Sequence, residues 1–222
     1  MSIAQNIEHI TKQLPQGVKL VAVSKFHPIE RLQEAYDAGQ RIFGENRAQE
    51  LAAKAPKLPT DIEWHFIGHL QKNKVRMITP WTSTIQSIDS KELLQLVNKE
   101  AARINRHINV LLQLHVAKEQ TKSGFAVDEI LTAANEGTFN NLSNVTIAGV
   151  MAMATFTDDI EQVAREFELV HNTFLTLRDK HFADNPNFKE ISMGMSDDWH
   201  IAVQHGATLV RIGTDIFGAR EY

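Results

Sequence analysis

The chain has no cysteine. That excludes disulfides, thiolate metal sites and a cysteine nucleophile, and leaves the compartment open. Tyrosine is scarce, with only Tyr36 and Tyr222. Long apolar runs are missing too. No stretch approaches the roughly 20 residues of a membrane span, and Met1–Ile10 holds no apolar segment of signal-peptide length. A cytoplasmic chain is expected. Nor is there an excess of positive charge. Lys and Arg total 23 against 27 Asp and Glu, a formal net charge of −4, so no global basic field recruits nucleic acid. Lys72, Lys74 and Arg76 form one local basic cluster, read as a solvated helix face with no aromatic stacking platform beside it. His65 and His69 are four apart, but no Glu follows His65, so H-E-x-x-H is absent and no metal site is expected. No G-x-G-x-x-G follows the first apolar run, which argues against a dinucleotide-binding sheet.

What is present is an alternation. The 222 residues, 43% apolar and 23% charged, have the composition of a globular protein. Ile3, Ile7 and Ile10 mark a leading helix over 2–14. Short strand-like runs then recur near 18–24, 41–44, 62–67, 84–88, 108–114, 146–151, 190–193 and 208–212, the first of them rich in β-branched residues. Helical patterns separate them near 29–38, 45–54, 70–78, 91–104, 127–136, 158–180 and 199–205. Pro28 is placed at the first position of its helix, and Asp89 or Ser90 caps the one at 91. Eight strands alternating with helices predict an α/β protein. The architecture expected is a single TIM-like (β/α)8 barrel with a leading N-terminal helix, one domain over 1–222. An open doubly wound sheet is the alternative.

In such a barrel the working residues sit where strands end. Lys25 follows the first run, Val18–Ser24. Burying an ammonium favours the neutral amine, and a neutral amine attacks aldehydes; a strand-end lysine can equally snorkel to solvent. After the last two strands, Ser196 offers a hydroxyl, Gly194 allows close backbone approach, and Gly213-Thr214 offers N–H groups and a hydroxyl, a pattern suited to phosphate. Arg211 lies in an apolar strand, where it pairs within the core or faces the mouth and a ligand. An aldehyde-reactive amine, a phosphate cup and a strand arginine match the three handles of pyridoxal 5′-phosphate (PLP). A phosphate-binding barrel that uses Lys25 in aldolase-like chemistry without PLP is a further reading.

Several segments carry a resemblance: Val21-Ala22-Val23-Ser24-Lys25, Phe43-Gly44-Glu45-Asn46, Trp64-His65-Phe66-Ile67-Gly68-His69-Leu70-Gln71, Gly149-Val150-Met151-Ala152-Met153, Ser192-Met193-Gly194-Met195-Ser196 and Val210-Arg211-Ile212-Gly213-Thr214. In this order, over nearly the whole chain, they resemble the pyridoxal phosphate homeostasis proteins, single-domain relatives of the alanine racemase barrel. The resemblance implies PLP held as a Schiff base on Lys25. Ser196, Gly213 and Thr214 would hold its phosphate and Arg211 would face its ring nitrogen, with Asn46, His65, Met153, Ser192 and Met193 lining the pocket. A cation at the ring nitrogen disfavours its protonation and weakens the electron sink. It further implies a protein that buffers or delivers PLP, to PLP-dependent apo-enzymes among its partners, without substantial turnover and as a monomer. The alternative is a small PLP-dependent racemase or lyase. Alanine racemases use a tyrosine base from a second domain, and neither Tyr36 nor Tyr222 is expected at the mouth. Two features depart from the usual pattern: Arg47 stands where an aromatic residue is more common, and Leu114-His115-Val116-Ala117 replaces a more polar segment. Lys122, in the loop after the fifth strand, is a secondary candidate for transient PLP contact.

Overall fold

The computed structural model describes residues 1–118 and 123–218. Eight strands form a closed barrel in sequence order: β1 (Lys19–Val23), β2 (Ile42–Glu45), β3 (Glu63–Phe66), β4 (Thr84–Ile88), β5 (Ile108–Leu114), β6 (Val145–Ala152), β7 (Glu190–Ser192) and β8 (Leu209–Ile212). Every pairing is parallel. β8 closes on β1 through Lys19 opposite Leu209 and Val21 opposite Arg211. The expected barrel is therefore the observed one.

Because parallel strands bury both faces, their sequences read as largely apolar runs, interrupted here by polar side chains at inward positions. Residues pointing outward, such as Ala22, Phe43, Phe66, Ile85 and Val150, join the helices in one large apolar layer. Inward residues Val21, Leu111, Ala148, Met151 and Leu209 form a separate, smaller plug. The plug is small because many inward positions are polar. His65, Gln86, Ser192 and Arg211 are all buried.

The helices α1 (Ile3–Gln13), α2 (Ile29–Asp37), α3 (Ala48–Lys54), α4 (Val75–Ile78), α5 (Lys91–Arg103), α6 (Val127–Asn135), α7 (Ile160–His181), α8 (Trp199–Gln204) and α9 (Thr214–Phe217) surround the strands. Helix α1 buries Ile3, Ile7 and Ile10, and Ser2 and Gln5 form a reciprocal capping box at its start. Asn6 ties it to the far end of the chain by donating to the Ile216 carbonyl at 3.0 Å. Ser90 caps α5. Pro28 departs from expectation. It is extended (ψ 161°) and stands at the cap of α2, one residue before the first helical position. Helix α9 has only four residues, too few for its apolar periodicity to show in sequence.

Gly149 governs how β6 meets β7. Its φ is +150°, and a Cβ there would lie 1.8 Å from the Glu190 carbonyl oxygen. A register irregularity beside it, between Val110 and Leu111 of β5, accommodates the local bend.

Candidate functional site

At the C-terminal ends of the strands lies a cavity of about 250 Å³. Strand alternation explains what reaches it. Val21 belongs to the inner plug and Val23 lines the cavity, so Lys25, two residues on, continues the inward face at the mouth. Lys25, Asn46, Met153, Ser196, Arg211, Gly213 and Thr214 all line this one cavity. His27, Met195 and Asp197, which sequence reasoning passed over, line it too. His27 stacks on Phe217, with ring centroids 4.8 Å apart.

Three expected lining residues are elsewhere. Ser192 is fully buried and lies beneath Arg211, whose Nη1 donates to its hydroxyl at 2.6 Å. Met193, the first residue past β7, points outward into the apolar layer, as continued alternation requires. His65 is not among the residues around the mouth; it lines a second cavity at the opposite end of the barrel. Lys122 lies outside the described residues.

The lysine's backbone is pinned from behind. The Ser24 carbonyl accepts from the Lys54 ammonium at 2.9 Å, and the Phe26 N–H donates to Glu50 Oε2 at 2.8 Å. Lys54 also donates to Glu45 Oε1 at 2.8 Å and to Glu50 Oε2 at 2.9 Å, while the Ser24 hydroxyl donates to Glu45 at 2.7 Å. Burial pushes the Glu45 carboxyl above its usual range despite Lys54. Burial also acts to raise Glu50, but the Phe26 N–H, Lys54 and Arg47 outweigh it and hold that carboxyl below its usual range. Phe26 itself adopts φ +67°, a conformation that costs a non-glycine residue of order 1 kcal/mol or more and persists only when its surroundings enforce it. The Arg47 guanidinium covers its ring at 4.4 Å, which gives that departure from the usual pattern a structural role.

Arg211 resolves the choice left open by the sequence. Among the described residues it makes no ion pair. Its Nη1 donates to Ser192 and its Nη2 to the Ala152 carbonyl at 2.9 Å. Burial pulls its pKa down to about 10, with Asp198 acting the other way, so it remains a cation at neutral pH and borders the cavity.

Beside it the loops after β7 and β8 form a cup. Among the described residues the backbone N–H groups of Ser196, Gly213 and Thr214 donate no hydrogen bond. They stand with two hydroxyls, from Ser196 and Thr214, at the same cavity wall. Asp215 does not line it, although Asp197 does. Met195 N–H donates to Asp198 Oδ1 at 2.6 Å, which orders the loop carrying Ser196. A cluster of unmatched donors next to a buried guanidinium and a strand-end amine fits a small dianion that also bears a carbonyl.

The basic cluster at Lys72, Lys74 and Arg76 is on the surface, on a 3-10 turn and the start of α4. His65 and His69 do not converge: His69 lies 3.3 Å from Asp89, whereas His65 contacts Gln86. Among the described residues no helix is long and apolar enough to cross a membrane.

The fold and this mouth define a class, the barrel proteins of the alanine racemase type. A family model described as "Alanine racemase, N-terminal domain" matches residues 1–221. Two curated relatives are each called "Pyridoxal phosphate homeostasis protein". That of Pasteurella multocida is 38% identical, covering 99% of this chain and 95% of its own length; that of Vibrio alginolyticus is 39% identical, covering 100% and 99%. Among solved structures, PipY of Synechococcus elongatus PCC7942 without PLP is similar at TM-score 0.92, with 35% identity over 98% of this chain and 100% of that one. The same protein has been solved with PLP bound, at TM-score 0.88. The chain belongs to the pyridoxal phosphate homeostasis proteins, within the alanine racemase N-terminal domain family.

Proposed function

We propose that residues 1–222 form one PLP-binding domain that holds the cofactor reversibly on Lys25 and passes it on, with little or no turnover of its own. The observation that carries this reading is that Lys25, Arg211, Ser196, Gly213 and Thr214 border a single cavity of about 250 Å³. PLP-bound PipY and the names of the relatives support it.

Bound PLP supplies an aldehyde for the amine and an electron-accepting ring. The chain's own residues do the rest. Lys25 presents its amine from a backbone held by Lys54 and Glu50. Ser196, Gly213 and Thr214 receive the phosphate. Arg211, fixed by Ser192 and Ala152, places a cation where the ring nitrogen would lie and keeps that nitrogen from taking up a proton. Weakening the electron sink suits a carrier better than a catalyst.

Two-base racemisation needs a proton-transferring group opposite Lys25, supplied in racemases by a tyrosine. Tyr36 is at the far end of the barrel, its hydroxyl donating to Asp61 at 2.8 Å, and Tyr222 lies outside the described residues. The recipients on this reading are PLP-dependent apo-enzymes, and the protein acts as a cytoplasmic monomer.

The test is an absorption spectrum of the PLP-loaded protein before and after borohydride, followed by peptide mapping. A visible band that borohydride bleaches, with the label on Lys25, is expected. A Lys25→Ala variant that keeps the band, or a native chain that never takes up PLP, overturns the reading. Incubation with alanine or serine is expected to shift the spectrum without forming product; racemisation at ordinary enzymatic rates would restore the enzyme reading.

A further inference from the structure

The N-terminal ends of the strands enclose a second cavity, of about 220 Å³. A barrel of this kind ordinarily fills its interior with branched apolar side chains. Here the inward positions at that end carry Lys19 of β1, Glu63 of β3, Thr84 of β4 and Asn109 of β5, with Lys189 just before β7. His65 forms part of the wall and is itself buried.

The hydrogen-bond directions around His65 can be assigned. A guanidinium only donates, so the Ser192 hydroxyl accepts from Arg211 and must donate its own proton to Gln86 Oε1, at 2.6 Å. The Gln86 amide nitrogen then faces His65 Nδ1 at 2.8 Å and donates to it. Burial, helped by Lys19, lowers the His65 pKa to about 3, so the ring is neutral. Its single proton therefore sits on Nε2. Among the described residues that N–H has no partner.

The charged groups around it are unevenly matched. Lys19 pairs with Glu190 at 2.7 Å. Lys189 and Glu63 make no ion pair among the described residues. Glu63 stands two residues before His65 on the same inward face of β3. The cavity thus offers the Glu63 carboxylate, an unmatched N–H donor and two ammonium groups, of which Lys19 shares its charge with Glu190, a second carboxylate in the lining. At about 30 Å³ per water, its 220 Å³ has room for about seven waters or one small amino acid.

We propose that this cavity is a second ligand site, taking a small zwitterion of the α-amino-acid class. The ligand's carboxylate accepts from His65 Nε2–H beside Lys19 and Lys189, and its ammonium donates to Glu63. The site is separate from the mouth and does not rest on PLP being bound there.

L-alanine titrated into the full chain and into its Lys25→Ala variant tests this, read by calorimetry and by ligand-observed saturation-transfer NMR. The variant cannot form a Schiff base, so binding that survives in it is remote from the mouth. Saturable binding is expected in Lys25→Ala, weakened about tenfold, or about 1.4 kcal/mol, by adding Glu63→Gln or Lys19→Gln. Both are exposed positions, and unchanged thermal unfolding will show that these substitutions leave the barrel folded. Acetate and methylamine are each expected to bind more weakly than L-alanine. The proposal is overturned by absence of saturable binding, by binding that disappears with Lys25, by binding indifferent to both substitutions, or by acetate matching L-alanine.

Discussion

The Lys54 ammonium donates to the backbone carbonyl of Ser24 at 2.9 Å, one residue before Lys25. A buried cation on α3 thereby holds the strand end that presents the amine, and the same ammonium neutralises the buried Glu45. One Glu45 oxygen has no partner among the described residues; the other accepts from Lys54 and from the Ser24 hydroxyl.

Removing the cation should be costly. Lys54→Met strands Glu45 in an apolar layer, and breaking a buried pair from one side costs about 3–5 kcal/mol. Urea denaturation is expected to show a loss of that size. The double substitution Lys54→Met/Glu45→Gln should recover part of it, because no buried charge is then left alone. A single variant as stable as the native chain would contradict the role assigned to Lys54.

His65 makes stability depend on pH. Its pKa is about 3 in the fold against 6.5 for a free imidazole. Between those values the unfolded chain binds a proton that the folded chain does not, so stability rises with pH across this window. The contribution is complete above pH 6.5 and is lost as the pH falls toward 3, a change of up to about 5 kcal/mol. Denaturation midpoints from pH 7 to pH 4 should fall more steeply for the native chain than for His65→Gln, whose amide accepts from Gln86 without titrating.

The cup after β7 and β8 is expected to govern retention of PLP rather than folding. A hydrogen bond to a charged phosphate contributes about 1.5–3 kcal/mol. Ser196→Ala and Thr214→Val should each weaken PLP binding by about tenfold or more, read by fluorescence titration, with thermal unfolding of the unloaded protein unchanged. Equal affinity in both variants would move the phosphate elsewhere.

Gly149→Ala should damage the barrel itself. The new methyl would meet the Glu190 carbonyl at 1.8 Å, at a φ of +150° that alanine rarely adopts. Displacing β7 to relieve the clash is expected to cost about 3 kcal/mol or more, seen as a lowered melting temperature. An alanine variant of native stability would show that β6 and β7 part freely.

Much of this was legible from residue order. All eight strands could be placed to within about two residues, because burial on both faces leaves short runs rich in apolar residues in the sequence. Lys25, Ser196, Arg211, Gly213 and Thr214 follow or end such runs, whereas Asn46 and Met153 are implied as pocket residues by the family resemblance. The resemblance also implies Ser192 and Met193, yet Ser192 is buried beneath Arg211 and Met193 points into the outer apolar layer. The resemblance implies His65 in the same pocket, but an inward residue one layer lower on β3 belongs to the other cavity. The support behind Lys25 was not readable. Glu50 and Lys54 have helical i,i+4 spacing, but nothing in the order of residues brings Glu45 to Ser24, 21 positions earlier.

The sequence by itself determined the alternation of strands and helices, the burial of both strand faces, and the positions where chemistry-bearing side chains leave the strands. Those depend on local periodicity and on short-range steric rules. The tertiary structure alone decided which end of the barrel each inward side chain serves, which charges are neutralised, and where a neutral histidine keeps its proton. Closure of the barrel sets these outcomes, because it brings residues from opposite strands within hydrogen-bond reach and takes them out of water, so the environment of each depends on partners far away in the chain.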